Sequence, residues 1–149
     1  MFDVLLALLL AVAPSAAPPT TPTPQHLPTI SVRAPKARLV LQVAKTEEQR
    51  ELGLMSVTKL APHTGMVFVF DRDGPVEFWM KDTLIPLDMV FVGADGRVRN
   101  VAADVPVVPL DTPDNAIPRR AGSGKYVIEL AAGEAAHDGI AAGTLLSGL

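Results

Sequence analysis

The sequence between residues 65 and 92 reads GMVFVFDRDGPVEFWMKDTLIPLDMVFV, and this stretch decides the fold class. Its segments 65–70, 76–81 and 87–92 are rich in valine, phenylalanine and methionine. Short apolar runs with β-branched and aromatic residues are typical of strands. The intervening segment 71–75, DRDGP, consists of residues that favour turns. We therefore predict three strands here, the first two joined by a tight turn.

Patterns on both sides extend the β prediction. Residues 38–44, RLVLQVA, alternate in hydrophobicity and predict a strand. Thr46 and Gln49 have the spacing of a capping box, so a short helix is expected to begin there and to end near Gly53. After the central stretch, the sequence Ala94-Asp95-Gly96 predicts a hairpin turn.

The C-terminal part contains a long irregular segment between predicted strands. The hairpin returns as a strand at 97–102, and further strands are predicted at 125–130 and 144–146, with a turn or a single helical turn at 133–139. Residues 103–124 hold four prolines and predict a binding loop or lid. The whole pattern indicates a mainly β single domain, an antiparallel sandwich or barrel with one short helix.

The N-terminal part predicts export. Residues 4–13 are an uncharged apolar run that suits a signal peptide and is too short to cross a membrane as a helix. Seven of the 14 prolines fall before residue 36 and favour an extended chain. We expect a signal peptide at 1–17, a proline-rich tether at 18–36 and a β domain at 37–149. The protein would then be periplasmic or in the cell envelope, with membrane contact only through an uncleaved leader.

Composition excludes several classes of function. The chain has no cysteine, which excludes thiol catalysis, disulfides and thiolate metal sites. Its net charge of −3 and the lack of a long basic run argue against nucleic acid as a partner. The methionines lie in apolar runs, as core residues do, and the segment 71–74 lacks the later ligands of a calcium loop. No metal and no cofactor site is predicted, and no catalytic residue can be assigned.

Four phrases in this order resemble a known family. They are RELGLM at 50–55, GMVFVF at 65–70, FWMKDTLIPLD at 78–88 and KYVIEL at 125–130. The series resembles the bacterial family called domain of unknown function 192, over about residues 40–146. The resemblance implies a small β-sandwich, broadly jelly-roll-like and often exported, and it brings no established catalytic residue. The family usually has asparagine where this chain has Asp82.

The densest group of polar and aromatic residues lies in and after the predicted strand 76–81. Because side chains alternate along a strand, Glu77, Trp79 and Lys81 share one face. Tryptophan offers a stacking surface, and charged groups beside it could fix a polar ligand. The alternative is structural, with the indole closing the edge of the core and the lysine in an ion pair. The candidate ligand-binding residues are Arg50, Glu77, Trp79, Lys81, Asp82 and Asp88.

Three classes of function follow from this candidate site. The first is an exported binding module for an unknown small polar ligand or envelope component, partly covered by the 103–124 loop. The second is an envelope enzyme, hydrolase-like, that uses carboxylates and Lys81 on a glycan or peptide. The third is a structural domain for protein contacts, which requires Trp79 to be buried without a pocket. The depth of the site and the ionisation of its carboxylates discriminate among them.

Overall fold

A computed structural model describes residues 21–149 of the chain. The predicted signal peptide at 1–17 lies outside these residues. Within residues 21–149 no helix is long and apolar enough to cross a membrane.

A single six-stranded sheet forms the domain, and two short α-helices and a 3-10 turn complete it. The mainly β, single-domain prediction is confirmed. The strands are β1 Thr29–Arg33, β2 Arg38–Ala44, β3 Thr64–Trp79, β4 Leu87–Val92, β5 Val98–Val105 and β6 Arg119–Ala131, the helices are α1 Glu47–Leu52 and α2 Glu134–His137, and the 3-10 turn is Asp114–Ala116. The strand order in the sheet is β1-β2-β3-β6-β4-β5.

The sheet is mixed, whereas the sequence predicted antiparallel pairing throughout. Strands β2 and β3 are parallel, and the other neighbouring strands are antiparallel. A parallel pair needs a crossover connection, and here the connection contains α1. The helix begins as predicted, because Thr46 and Gln49 form the capping box. The sheet does not close into a barrel. Its edge strands are β1 and β5, and the C-terminal segment forms isolated bridges to Arg33 of β1 and to Arg97 just before β5.

Strand β3 is longer than predicted and includes a segment that was predicted to be a turn. Segment 71–75 is part of the strand, although the pairing with β6 shifts register between Val69 and Gly74. Beyond this irregularity β3 continues to pair with β6, as far as Trp79 opposite Arg119. Residues 119–124 are consequently strand, and the predicted 103–124 loop is confined to 106–118.

The folded domain begins before residue 37. Residues Thr29–Arg33, predicted as part of the tether, form β1 and pair with β2. Val32 of this strand is completely buried. The two prolines around it, Pro28 and Pro35, flank the strand rather than interrupt it, and a proline outside a strand costs no ladder hydrogen bond.

Each face of the sheet carries its own hydrophobic cluster. Alternation along β3 sends Val67 to one face and Met66 and Phe68 to the other. On the Met66 face, Phe68 and Phe78 meet edge to face at 4.9 Å between ring centroids. This second cluster lies below α1 and the end of β3, and it forms the floor of the site described next.

Candidate functional site

Trp79 ends β3 and is half-buried. Its neighbours Phe78 and Met80 are buried in the core, so the predicted alternation between a core side and a Trp79 side is present. Glu77 is exposed and Lys81 is half-buried. The indole is therefore neither sealed in the core nor free in solvent, as an amphipathic platform requires.

Two cations lie over the indole ring. The guanidinium carbon of Arg119 is 3.9 Å from the ring centroid, and Lys81 Nζ is 5.2 Å from it. Both distances are within the range of cation–π attraction. Lys81 also forms a 2.7 Å ion pair with Asp114 of the 3-10 turn. The loop at 106–118 is thereby attached to the rim of the site by a charge pair.

Three adjoining spaces share Trp79, and we call them together the Trp79 site. A cleft of about 500 Å³ lies between the indole, Lys81 and α1. A second cleft of about 340 Å³ lies beside Arg119 and Glu77. A pit of about 30 Å³, enough for one or two water molecules, leads down past Thr83 to Glu129.

Glu129 lies at the bottom of the pit on the central strand β6, opposite Met66 of β3 and Met89 of β4. The side chain is only 5% exposed. Burial raises the pKa of Glu129 from 4.5 to about 8, because ionisation would place a charge in an apolar surrounding. At neutral pH the carboxyl group is therefore mostly protonated and can donate a hydrogen bond into the pit.

The sequence interpretation missed Glu129, although a signal was present. The acid interrupts the apolar run from Tyr126 to Leu130. It shares a strand face with Val127, which is completely buried. A lone acid on the inward face of a strand must be neutralised by a partner or by protonation. Which strands flank it, and what cavity it faces, could be known only from the tertiary structure.

A sequence model of the family DUF192, described as Uncharacterized ACR, matches residues 29–148. The chain belongs to the DUF192 family. The solved structure of a protein described as a candidate transcription regulator from Sinorhizobium meliloti 1021 is 32% identical, with a TM-score of 0.73, over 85% of this chain and 98% of that one. A protein of unknown function from Novosphingobium aromaticivorans DSM 12444 is 36% identical, with a TM-score of 0.64, over 80% of this chain and 83% of that one. No curated protein matches the chain.

In this DUF192 domain Arg50 lines the site but acts through backbone carbonyls. Its Nη1 donates to the carbonyl oxygen of Val69 at 3.0 Å and also to that of Lys45. Its guanidinium lies 5.2 Å from the ring centroid of Phe70. No carboxylate within residues 21–149 forms an ion pair with Arg50. The arginine therefore joins α1 to β3 as a structural element of the wall.

Asp88 does not belong to the Trp79 site, contrary to the sequence prediction. It is 1% exposed, and its carboxylate accepts hydrogen bonds from the amides of Asp104 and Ala135, both at 2.9 Å. A buried carboxylate is stabilised by such backbone donors. Asp88 thus connects β4 to β5 and to α2, and its function is structural.

Asp82 lies in the turn after Met80 and is not among the residues that line the three spaces. Its φ is 49°, in the left-handed region, and its carbonyl oxygen accepts a 2.9 Å hydrogen bond from the amide of Ser56. Aspartate and asparagine both tolerate this backbone conformation. The position is thus accounted for by the turn. The structure brings together Arg50, Glu77, Trp79 and Lys81, adds Arg119 and Glu129, and leaves out Asp82 and Asp88.

Proposed function

We propose that this DUF192 protein is an exported binding module that takes a small polar ligand of the cell envelope at the Trp79 site. The observation that carries the proposal is a half-buried indole, open to two clefts, above the buried acid Glu129, whose pKa burial raises to about 8. Binding sites for small molecules typically combine an aromatic surface with a few convergent polar groups.

The chemistry of the lining restricts the ligand. The clefts carry the cations Lys81 and Arg119, and the protonated Glu129 can donate a hydrogen bond. These groups complement oxygen acceptors, such as carboxylate, amide or hydroxyl oxygens. The indole borders both clefts and adds apolar surface beside these polar groups. Sugars and the sugar-peptide fragments of the cell wall combine these features.

Export is supported by the apolar run at 4–13 and by the prolines that follow it. Expression of the full chain in a bacterium, followed by fractionation, tests this part. We expect the processed protein in the periplasmic fraction, and a variant lacking residues 1–17 in the cytoplasm. Recovery of the full chain from the cytoplasm alone would contradict export.

The chain has a single tryptophan, so its fluorescence reports directly on the Trp79 site. We expect a saturable change in this signal, and a rise in melting temperature, with at least one member of a panel of monosaccharides, muropeptides and dicarboxylates. Lys81→Ala and Arg119→Ala should weaken the response. Arg120→Ala is the matched control, because adjacent residues of a strand face opposite ways. Equal responses of all three variants would show that the ligand does not bind at the Trp79 site.

An enzyme is the second candidate, and the pKa of Glu129 favours it. A carboxyl group in a cleft with a pKa near the working pH is suited to general acid catalysis. The hydrolase-like alternative can be tested by following muropeptides with mass spectrometry. If the wild type converts muropeptides and Glu129→Gln binds them without converting them, the enzyme hypothesis replaces that of a binding module. Glu77 is exposed and Asp88 is buried outside the site, so Glu129 is the carboxyl group on which the enzyme hypothesis rests.

Two further readings receive less support. A purely structural domain requires a buried tryptophan without a pocket, whereas Trp79 is half-buried and borders three spaces.

The similar protein from Sinorhizobium meliloti is described as a candidate transcription regulator. DNA binding by this chain is disfavoured by its net charge of −3 and by the acids Glu47, Glu48 and Glu51 at the rim of the clefts.

A further inference from the structure

Two histidines and two carboxylates lie together where the chain enters β3 beside α2. The four residues are His63, Glu134, His137 and Asp138, and one potential ligand atom of each lies within 4.8 Å of the other three. None of them lines the Trp79 site. The cluster is therefore separate from the function proposed above.

The distances within the cluster fit a four-coordinate metal ion. His63 Nδ1 is 2.9 Å from Asp138 Oδ1 and 3.0 Å from Glu134 Oε1. His137 Nδ1 is 3.1 Å from Asp138 Oδ1 and 4.0 Å from Glu134 Oε1. Around an ion with tetrahedral bonds of 2.0–2.1 Å, the ligand atoms lie roughly 3.3 Å apart. The four observed separations lie on both sides of that value, so small side-chain movements would complete the site.

The charges of the cluster call for a cation. The side chain of Asp138 is completely buried, and its carboxylate faces the imidazoles of His63 and His137, so a positive charge between them is favourable. Without a metal ion, a proton on His63 can fulfil this need, because its Nδ1 lies 2.9 Å from Asp138 Oδ1. A divalent ion in the same place would displace that proton and neutralise both carboxylates.

The backbone already holds one ligand in position. His63 has a φ of 59°, and its amide donates a 2.9 Å hydrogen bond to Glu134 Oε1. At the surface, the side chain of His137 is 71% exposed and that of His63 is 39% exposed. An ion can thus enter from solvent and meet a preformed buried carboxylate.

We propose that His63, Glu134, His137 and Asp138 form a binding site for one divalent transition-metal ion, with Zn²⁺ the best match. Imidazole nitrogen and carboxylate oxygen are both common zinc ligands. The site lacks the thiolates or thioethers that select Cu(I), and its two nitrogens disfavour Ca²⁺ and Mg²⁺. The ion would link His63, the residue before β3, to Glu134 of α2, which is 71 positions away in the sequence. Glu134, His137 and Asp138 lie within five residues, but His63 is 71 positions from Glu134, so the sequence did not show that the four residues meet.

The test uses the untagged, chelator-treated protein and Zn²⁺ alone as the probe. Calorimetric titration should give one ion per chain, and a Zn²⁺ concentration of a hundred times the dissociation constant should raise the melting temperature by about 10 °C. Co²⁺ in its place should give the intense visible absorption of a four-coordinate ion. Zero stoichiometry, or a melting temperature unchanged by Zn²⁺, would overturn the proposal.

The three histidines of the chain provide variants and a control. His137→Ala changes an exposed side chain, and His63→Asn keeps a residue that tolerates a positive φ, so both should fold. We expect each to weaken Zn²⁺ binding at least tenfold and to abolish the rise in melting temperature. His26→Ala, an exposed residue outside the cluster, should bind Zn²⁺ as wild type does. Wild-type affinity in both cluster variants would show that the ion binds elsewhere.

Discussion

Glu129→Gln replaces a buried carboxyl group with a neutral amide of nearly the same size, and it isolates the energetic cost of the acid at the bottom of the Trp79 site. In the unfolded chain the group ionises near 4.5, whereas in the folded domain burial raises its pKa to about 8. Between these two pH values the unfolded state releases a proton that the folded state keeps. Stability must therefore fall as the pH rises.

The size of the effect follows from the two pKa values. Each pH unit within the interval from 4.5 to about 8 removes about 1.4 kcal/mol, so the total loss is about 5 kcal/mol. Below pH 4.5 the group is protonated in both states and its contribution is fully present. Above pH 8 it is ionised in both states and the loss levels off. The glutamine variant has no such group and should show no such loss.

Urea unfolding at intervals from pH 4 to pH 9, followed by circular dichroism, measures this difference. The free energy of unfolding of the wild type minus that of Glu129→Gln should fall by about 5 kcal/mol across the range. The two proteins differ at one residue, so the contributions of all other groups cancel in the difference. Glu77→Gln is the control, because an exposed carboxyl group keeps its hydration on folding. A difference that stays constant within about 1 kcal/mol from pH 5 to pH 8 would refute the assigned burial cost.

Three further substitutions test the structural assignments by chemical unfolding. Asp88→Ala leaves the buried amide of Ala135 and the amide of Asp104 without their acceptor and should cost about 3 kcal/mol; a loss below about 1 kcal/mol would contradict its structural function. Thr46→Ala removes the helix cap and should cost about 1 kcal/mol, and no change would mean that α1 is held by packing alone. Gly122→Ala places a methyl group against the ring of Phe91 and should cost about 1–3 kcal/mol, whereas wild-type stability would show that the ring moves aside freely.

Local interactions explain which elements were predicted from the sequence. The capping box of α1 joins residues three apart, and strand β4 coincides with the predicted segment 87–92. The turn at 94–96 was also predicted, since β4 and β5 pair as a hairpin on either side of it. Residues close in sequence interact in any fold that contains the element, so their pattern can be read directly.

Long-range pairing explains where the prediction was wrong. The segment 71–75 has the composition of a turn, yet it lies within β3, which pairs with β6 on both sides of its irregularity. The same pairing converts residues 119–124 from loop to strand. Residues Thr29–Arg33 lie in a proline-rich part of the sequence, but they form β1 because they pair with β2. A strand is stabilised by its neighbours, so its existence depends on partners that are distant in sequence.

The sequence by itself determined the β class, the helix cap, the family and the placement of Trp79 on the side of its strand away from the core, because each depends on local pattern or a contiguous phrase. Only the tertiary structure decided that Asp88 lies outside the site, that Glu129 lies beneath it, and that His63 meets Glu134. Those outcomes depend on which strands become neighbours and on how deeply a carboxylate is buried. Burial and proximity across many residues are properties of the packed chain, and no local pattern encodes them.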